Sequence, residues 1–109
     1  MSLNKLRDEV HAIAKEKGWW DQPREFGTVL ALVHSEVSEA LEEYRNGRDA
    51  NERYYREDGK PEGVPSELAD VIIRVLDACG YYGIDIEAVI EEKAAFNRGR
   101  PYRHGRKVA

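Results

Sequence analysis

Apolar residues recur at helical intervals in four separate stretches of the chain. Leu3, Leu6, Val10, Ile13 and Ala14 fall three or four positions apart over Ser2–Lys17, and Gly18 follows where a helix end favours a left-handed residue. The turn Gly18-Trp19-Trp20-Asp21-Gln22-Pro23 leads to a longer helix predicted over Arg24–Arg45. Its Phe26, Val29, Leu30, Val33, Val37, Ala40, Leu41 and Tyr44 form one stripe, and Asn46-Gly47 stops it. A third helix opens with Pro65, which suits a first helical position, and carries Leu68, Val71, Ile72, Val75, Leu76 and Cys79 inward to an end expected at Gly80. Ile84 and Asp85 resemble a hydrophobic-staple and N-cap pair, with Val89 placed to meet Ile84, and start a fourth helix that runs to Asn97 or Arg98. No alternating strand pattern of useful length and no internal repeat is visible. The predicted class is all-α, a four-helix bundle.

Between Asn46 and Val64 the pattern breaks into a charged stretch holding Gly59, Pro61 and Gly63, long for a plain connection. The adjacent Tyr54 and Tyr55 favour burial, so a crossover onto a neighbouring subunit is the first expectation, ahead of a substrate lid or a disordered loop. At 109 residues the chain reads as a single domain over 1–109, small enough that a partner subunit would help to complete its core. A content of 41% hydrophobic and 35% charged residues is that of a globular protein rather than a disordered one. The lone Cys79 excludes an internal disulfide and lies in an apolar helical pattern, so it reads as a small core residue in a reducing compartment. With neither a 20-residue apolar run nor a signal-peptide layout, the expectation is a cytoplasmic protein with no membrane partner.

The net charge of −4 conceals two regions of opposite sign. Lys93, Arg98, Arg100, Arg103, Arg106 and Lys107 give residues 93–109 a charge of +6, whereas the preceding residues carry −10. That layout suits a ligand combining a metal ion with anionic groups, and a solvated basic end accounts for the charge equally well. The basic tail over 99–109 is expected to fold over such a ligand. Specific nucleic-acid binding is not expected, because the acidic body repels a long polyanion.

Within the predicted second helix Glu36 and Glu39 are three apart and share a face beside the Val33 and Val37 stripe. Glu67 and Asp70 repeat the arrangement on the third helix, next to Leu68 and Val71. Packing the two helices by their apolar faces would bring four like charges together, and such a cluster needs a cation. Oxygen-only ligands select a hard ion, magnesium first and manganese as its substitute. Either pair alone is an ordinary solvated face in so charged a chain; two matched pairs on consecutive helices point to a metal. Lys93, Asn97 and Arg100 form a further stripe on the fourth helix, where two cations and an amide suit phosphate oxygens or, more simply, complement the helix dipole.

In this order, Glu36-x-x-Glu39, Glu67-Leu-Ala-Asp70 and Lys93-x-x-x-Asn97-x-x-Arg100 resemble the motifs of the MazG-like family of all-α nucleoside triphosphate pyrophosphohydrolases, which includes dCTP and dUTP pyrophosphatases. The resemblance spans Trp19 to Arg100 and lies in three ordered motifs rather than in any one. It implies a helical bundle completed by homo-oligomerisation, as a homodimer or a dimer of dimers. It also implies cleavage of a nucleoside triphosphate to monophosphate and pyrophosphate, with Glu36, Glu39, Glu67 and Asp70 as magnesium ligands. Related dCTP pyrophosphatases carry a tryptophan near the base pocket, which makes Trp19 and Trp20 candidates to stack on a nucleobase, although both also suit a plain apolar cap. The family's first motif usually reads Glu-Glu-x-x-Glu, and here Ser35 stands at the leading position, preceded by His34. The chain then uses fewer ions or drafts Glu39, Glu43 or His34. Two other activities fit the same pattern: a phosphoribosyl-ATP pyrophosphohydrolase, and a non-catalytic helical dimer that binds nucleotide or a partner protein.

Overall fold

A computed structural model of the chain describes residues 2–102, so the stretch of the basic tail from 103 to 109 lies outside the described residues. The element order is α1 (Leu3–Glu16), α2 (Phe26–Arg45), β1 (Tyr54–Tyr55), β2 (Pro61–Glu62), α3 (Val64–Tyr82) and α4 (Ile86–Arg98). The ends of the helices follow from local chemistry. Ser2 caps α1 by accepting from the Lys5 amide, Glu25 caps α2 through Thr28, and Asp85 caps α4 through Ala88, each relieving an orphan N–H of a first turn.

The third helix differs from its expected end. It passes through Gly80 to Tyr82 and stops at Gly83, whose φ of 67° is the left-handed conformation that ends a helix. Gly80 serves packing instead: a Cβ built there would stand 2.6 Å from the His11 Cβ, so α1 approaches α3 closely at this point.

α3 is the central element, with α2 on one side and α1 on the other, and α4 lies against α1. Asn4 ties α1 to the start of α4 through the Glu87 and Asp85 carboxylates, and Arg7 donates to the Ile84 carbonyl at 2.7 Å. Within one chain the helices therefore form a three-helix core with α4 alongside. The buried apolar residues are Val29, Ala40, Val64, Leu76 and Cys79, and no large side chain among the described residues is fully buried. A stripe of Leu30, Val37, Leu41 and Tyr44 on α2, and another of Leu68, Ile72 and Val75 on α3, stay in contact with solvent.

A buried polar knot fixes the turn between α1 and α2. Asp77 on α3, 8% exposed, accepts from His11 Nδ1 at 2.7 Å and from the Trp20 indole at 2.9 and 3.1 Å. The Trp20 ring lies on Tyr81 with centroids 3.9 Å apart and planes 11° from parallel.

The 46–64 segment folds as a short antiparallel hairpin pairing Tyr54 with Glu62 and Tyr55 with Pro61. Tyr54 is engaged by its own chain: its hydroxyl donates to Glu43 on α2 at 2.9 Å, and Arg48 stacks over its ring at 3.8 Å. Tyr55 is exposed. Gly63, with φ 109°, has no room for a Cβ against the Glu52 carbonyl, which presses the hairpin onto the first turn of α3. Among the described residues no helix is long and apolar enough to cross a membrane.

Candidate metal centre

The packing of α2 on α3 decides where their acids go. Glu36 and Glu39 lie one turn apart on α2, and Glu67 and Asp70 lie at the start of α3, where Gly63 and Pro65 begin the helix beside the hairpin. One carboxylate oxygen from each of Glu36, Glu67 and Asp70 lies within 4.8 Å of the other two. Glu39 lies at the edge of this group, where the charges of Glu36 and Asp70 act on it. Three of the four residues predicted as ligands are therefore brought together, with Glu39 beside them.

Their electrostatics record the crowding. Burial, then the charges of Glu39 and Asp70, push the Glu67 carboxyl up to about 7. Glu39 is raised by the hydrogen bond it shares with Glu36, by the charge of Glu36 and by burial. Burial and the Glu36 charge raise Asp70, while Arg74 and Lys60 pull it the other way. Three of the four carboxyls are thus raised by crowding and burial, an excess of negative charge that a divalent cation would offset.

The donor set fits magnesium. Oxygens around one such ion, at about 2.1 Å from it, stand roughly 3 to 4 Å apart, and carboxylates within 4.8 Å of one another reach that spacing by small rotations. A second group shares Glu67: oxygens of Glu43, Glu62 and Glu67 also lie within 4.8 Å of one another. Ser35 and His34 are exposed and belong to neither group, so the acids nearest the centre besides the four are Glu43 and Glu62.

A cavity of about 260 Å³ opens beside the acids, between α1, α2 and α3. Glu36 and Asp70 form one wall, Val10, Ile13 and Ile73 line it with apolar surface, and Trp19 and Arg74 stand at its side. Arg74 links the two regions, since its Nε donates to Glu36 at 3.1 Å and its guanidinium lies 3.9 Å over the Trp19 ring. The two tryptophans thus separate: Trp19 lines the cavity, and Trp20 is held by Asp77 and covered by Tyr81.

The predicted phosphate stripe does not join the centre within one chain. Lys93 and Asn97 are exposed on α4, whereas Arg100 lies past the end of the helix at Arg98, and Lys93 and Arg100 lie about the Phe96 ring at 6.0 and 5.6 Å. Among the described residues none of the three pairs with the four acids.

Arg74, Asp77 and His11 escaped the sequence reading, as did Glu62 and Lys60. The first two carried a usable signal, because Glu67, Asp70, Arg74 and Asp77 follow one another at helical spacing as a polar stripe beside the apolar one. Glu62 and Lys60 carried none, since their placement depends on the hairpin. Compared with known proteins, the chain matches no family model, no curated protein and no solved structure.

Proposed function

We propose that the chain is a magnesium-dependent nucleoside triphosphate pyrophosphohydrolase of the MazG-like kind, working as a homo-oligomer. The observation that carries this reading is the convergence of the α2 and α3 carboxylates beside a cavity lined by an indole. Glu36, Glu67 and Asp70 would hold the ion, with Glu39 at its edge. Magnesium there, or manganese in its place, would offset negative charge on phosphate oxygens and make water easier to deprotonate.

The chain's own residues supply the remaining steps. Glu39, an exposed acid at the edge of the cluster, accepts the proton of the water that attacks the α-phosphorus. The α–β anhydride bond breaks, and pyrophosphate leaves with the bonding electron pair while the monophosphate keeps the water oxygen. Trp19 offers its indole to the base in the cavity, and Arg74 fixes the Glu36 carboxylate that would hold the ion.

Two observations support an oligomer. The stripes on α2 and α3 leave apolar surface uncovered, and a second copy of the same helices would bury it. Lys93, Asn97 and Arg100 lie away from the acids of their own chain, and a neighbouring chain is the natural source of such a stripe over the substrate.

A screen of nucleoside triphosphates and phosphoribosyl-ATP, read by released pyrophosphate with magnesium or manganese, tests the activity. We expect release from at least one nucleotide, abolished by Glu36→Gln and by Asp70→Asn with helical circular dichroism retained. Full activity in both variants, or no release from any nucleotide, would sink the enzymatic reading. Sedimentation tests assembly, and a monomer at micromolar concentration refutes it.

A further inference from the structure

The hairpin places two cations next to the carboxylate centre, and neither belongs to the phosphate stripe on α4. Lys60 Nζ lies 3.5 Å from Glu62 Oε1, and Arg56 approaches the same oxygen at 3.9 Å. Glu62 in turn lies within 4.8 Å of Glu43 and Glu67, the latter shared with Glu36 and Asp70. The Lys60 charge reaches across to Asp70 as well.

Their position is built rather than incidental. The Arg56 amide donates to the Lys60 carbonyl at 3.0 Å, Gly59 closes the turn on the Arg56 carbonyl at 2.9 Å, and Asp58 accepts from the Lys60 amide at 3.0 Å. Below the turn, Tyr54 ties the hairpin to Glu43, and Gly63 seats it on the start of α3. Both side chains are more than half exposed, so their contacts with Glu62 are loose surface pairs worth little to stability. Such cations are free to move to a stronger acceptor.

Charge says what that acceptor is. The six acids Glu36, Glu39, Glu43, Glu62, Glu67 and Asp70 have within 4 Å, among the described residues, only Arg74, Arg56 and Lys60 as cationic partners. Arg74 is occupied by Glu36 and Trp19. A divalent ion among the acids would leave some oxygens of a polyphosphate unneutralised, and a flexible ammonium beside the cluster suits them as a point charge.

We propose that Lys60, seconded by Arg56, is a polyphosphate-binding residue that leaves Glu62 to hold the β- and γ-phosphates of the substrate over the metal centre of its own chain. This rests on the pyrophosphohydrolase reading and adds to it the group that steadies the departing pyrophosphate. No bond is made or broken by the hairpin; it exchanges one oxyanion for another.

The test is calorimetric titration of the full chain with inorganic tripolyphosphate in the presence of magnesium, alongside nucleotide hydrolysis. Lys60→Met is expected to weaken tripolyphosphate binding about tenfold or more, the usual loss for a hydrogen bond to a charged group. Lys60→Arg should restore most of the affinity, and the variant Arg56→Met/Lys60→Met should lose more than either single change. Magnesium binding without polyphosphate should stay unchanged or tighten, which separates phosphate contact from damage to the acids. Equal tripolyphosphate affinity in wild type and Lys60→Met overturns the proposal, as does absence of binding by the wild type. Lys60-dependent binding without hydrolysis of any nucleotide refutes the catalytic reading and upholds the phosphate contact.

Discussion

Replacing Glu67 with glutamine should stabilise the metal-free protein at alkaline pH, the reverse of what loss of a partly buried polar side chain usually does. The Glu67 carboxyl, ordinarily at 4.5, is pushed up to about 7 by burial and by its acidic neighbours, so the folded state resists its ionisation while the unfolded chain does not. The corresponding stability is fully present below pH 4.5 and is lost as pH rises through about 7. A displacement of that size has a ceiling of about 3.4 kcal/mol. Glu67 is only partly buried, and water screens the effect to roughly 1 kcal/mol. Glutamine keeps the shape without the charge. Thermal unfolding in chelator at pH 8 should therefore show Glu67→Gln melting about 4 to 8 °C above wild type for a domain of this size. At pH 4.5 the two should coincide. Added magnesium should close the gap at pH 8 by raising the wild type and leaving the variant behind, since only the wild type retains the full ligand set. A difference that does not change with pH, or a variant that melts lower at pH 8 in chelator, would refute the argument that the four acids repel one another in the absence of an ion.

The remaining predictions concern the frame around the centre. Gly80→Ala should cost about 1 to 3 kcal/mol by driving a methyl group into His11, despite alanine's better helix propensity; an unchanged denaturant midpoint would show that α1 does not approach α3 as described. Asp77→Asn should cost on the order of 3 kcal/mol and redshift tryptophan emission, because it weakens the shared acceptor of His11 and Trp20 in a buried place; wild-type stability with an unshifted spectrum would remove the knot from the account. Trp19→Ala should raise the Michaelis constant about tenfold with little change in kcat, the loss expected for one base stacked on an indole. Trp20→Ala should act chiefly through stability, and the opposite assignment of the two effects would move the base away from the cavity.

How much of this was visible in the sequence depended on the range of the interactions involved. The helices were visible because their apolar spacing is a local property, and the cap at Asp85 is chemistry within one turn. The end of the third helix was misplaced for an instructive reason. A glycine that ends a helix and a glycine that admits a neighbouring helix look alike in one dimension, and only His11, sixty-nine positions earlier, distinguishes Gly80 from Gly83. The carboxylate cluster was legible because two carboxylate pairs flank two apolar stripes, so packing those stripes leaves the acids nowhere else to meet. The hairpin was not, since strands of two residues have no periodicity to detect, and Tyr54 finds its partner in Glu43 of its own chain.

The placement of α4 connects the two weakest points of the single chain. Its Val89, Ile90 and Phe96 are exposed, as are the stripes of α2 and α3, so this chain alone leaves apolar surface on three helices uncovered. The same helix carries Lys93 and Asn97, with Arg100 just past its end, away from the acids that their charge complements. A second copy that buried α4 against α2 and α3 would remove both defects in one step, lowering the apolar cost and delivering cations to the edge of the carboxylate centre. Assembly and catalysis would then be inseparable. Phe96→Asp, which places a charge in the apolar part of α4, should lower the assembly state and the hydrolytic rate together, whereas a dispersed chain with full activity would separate them.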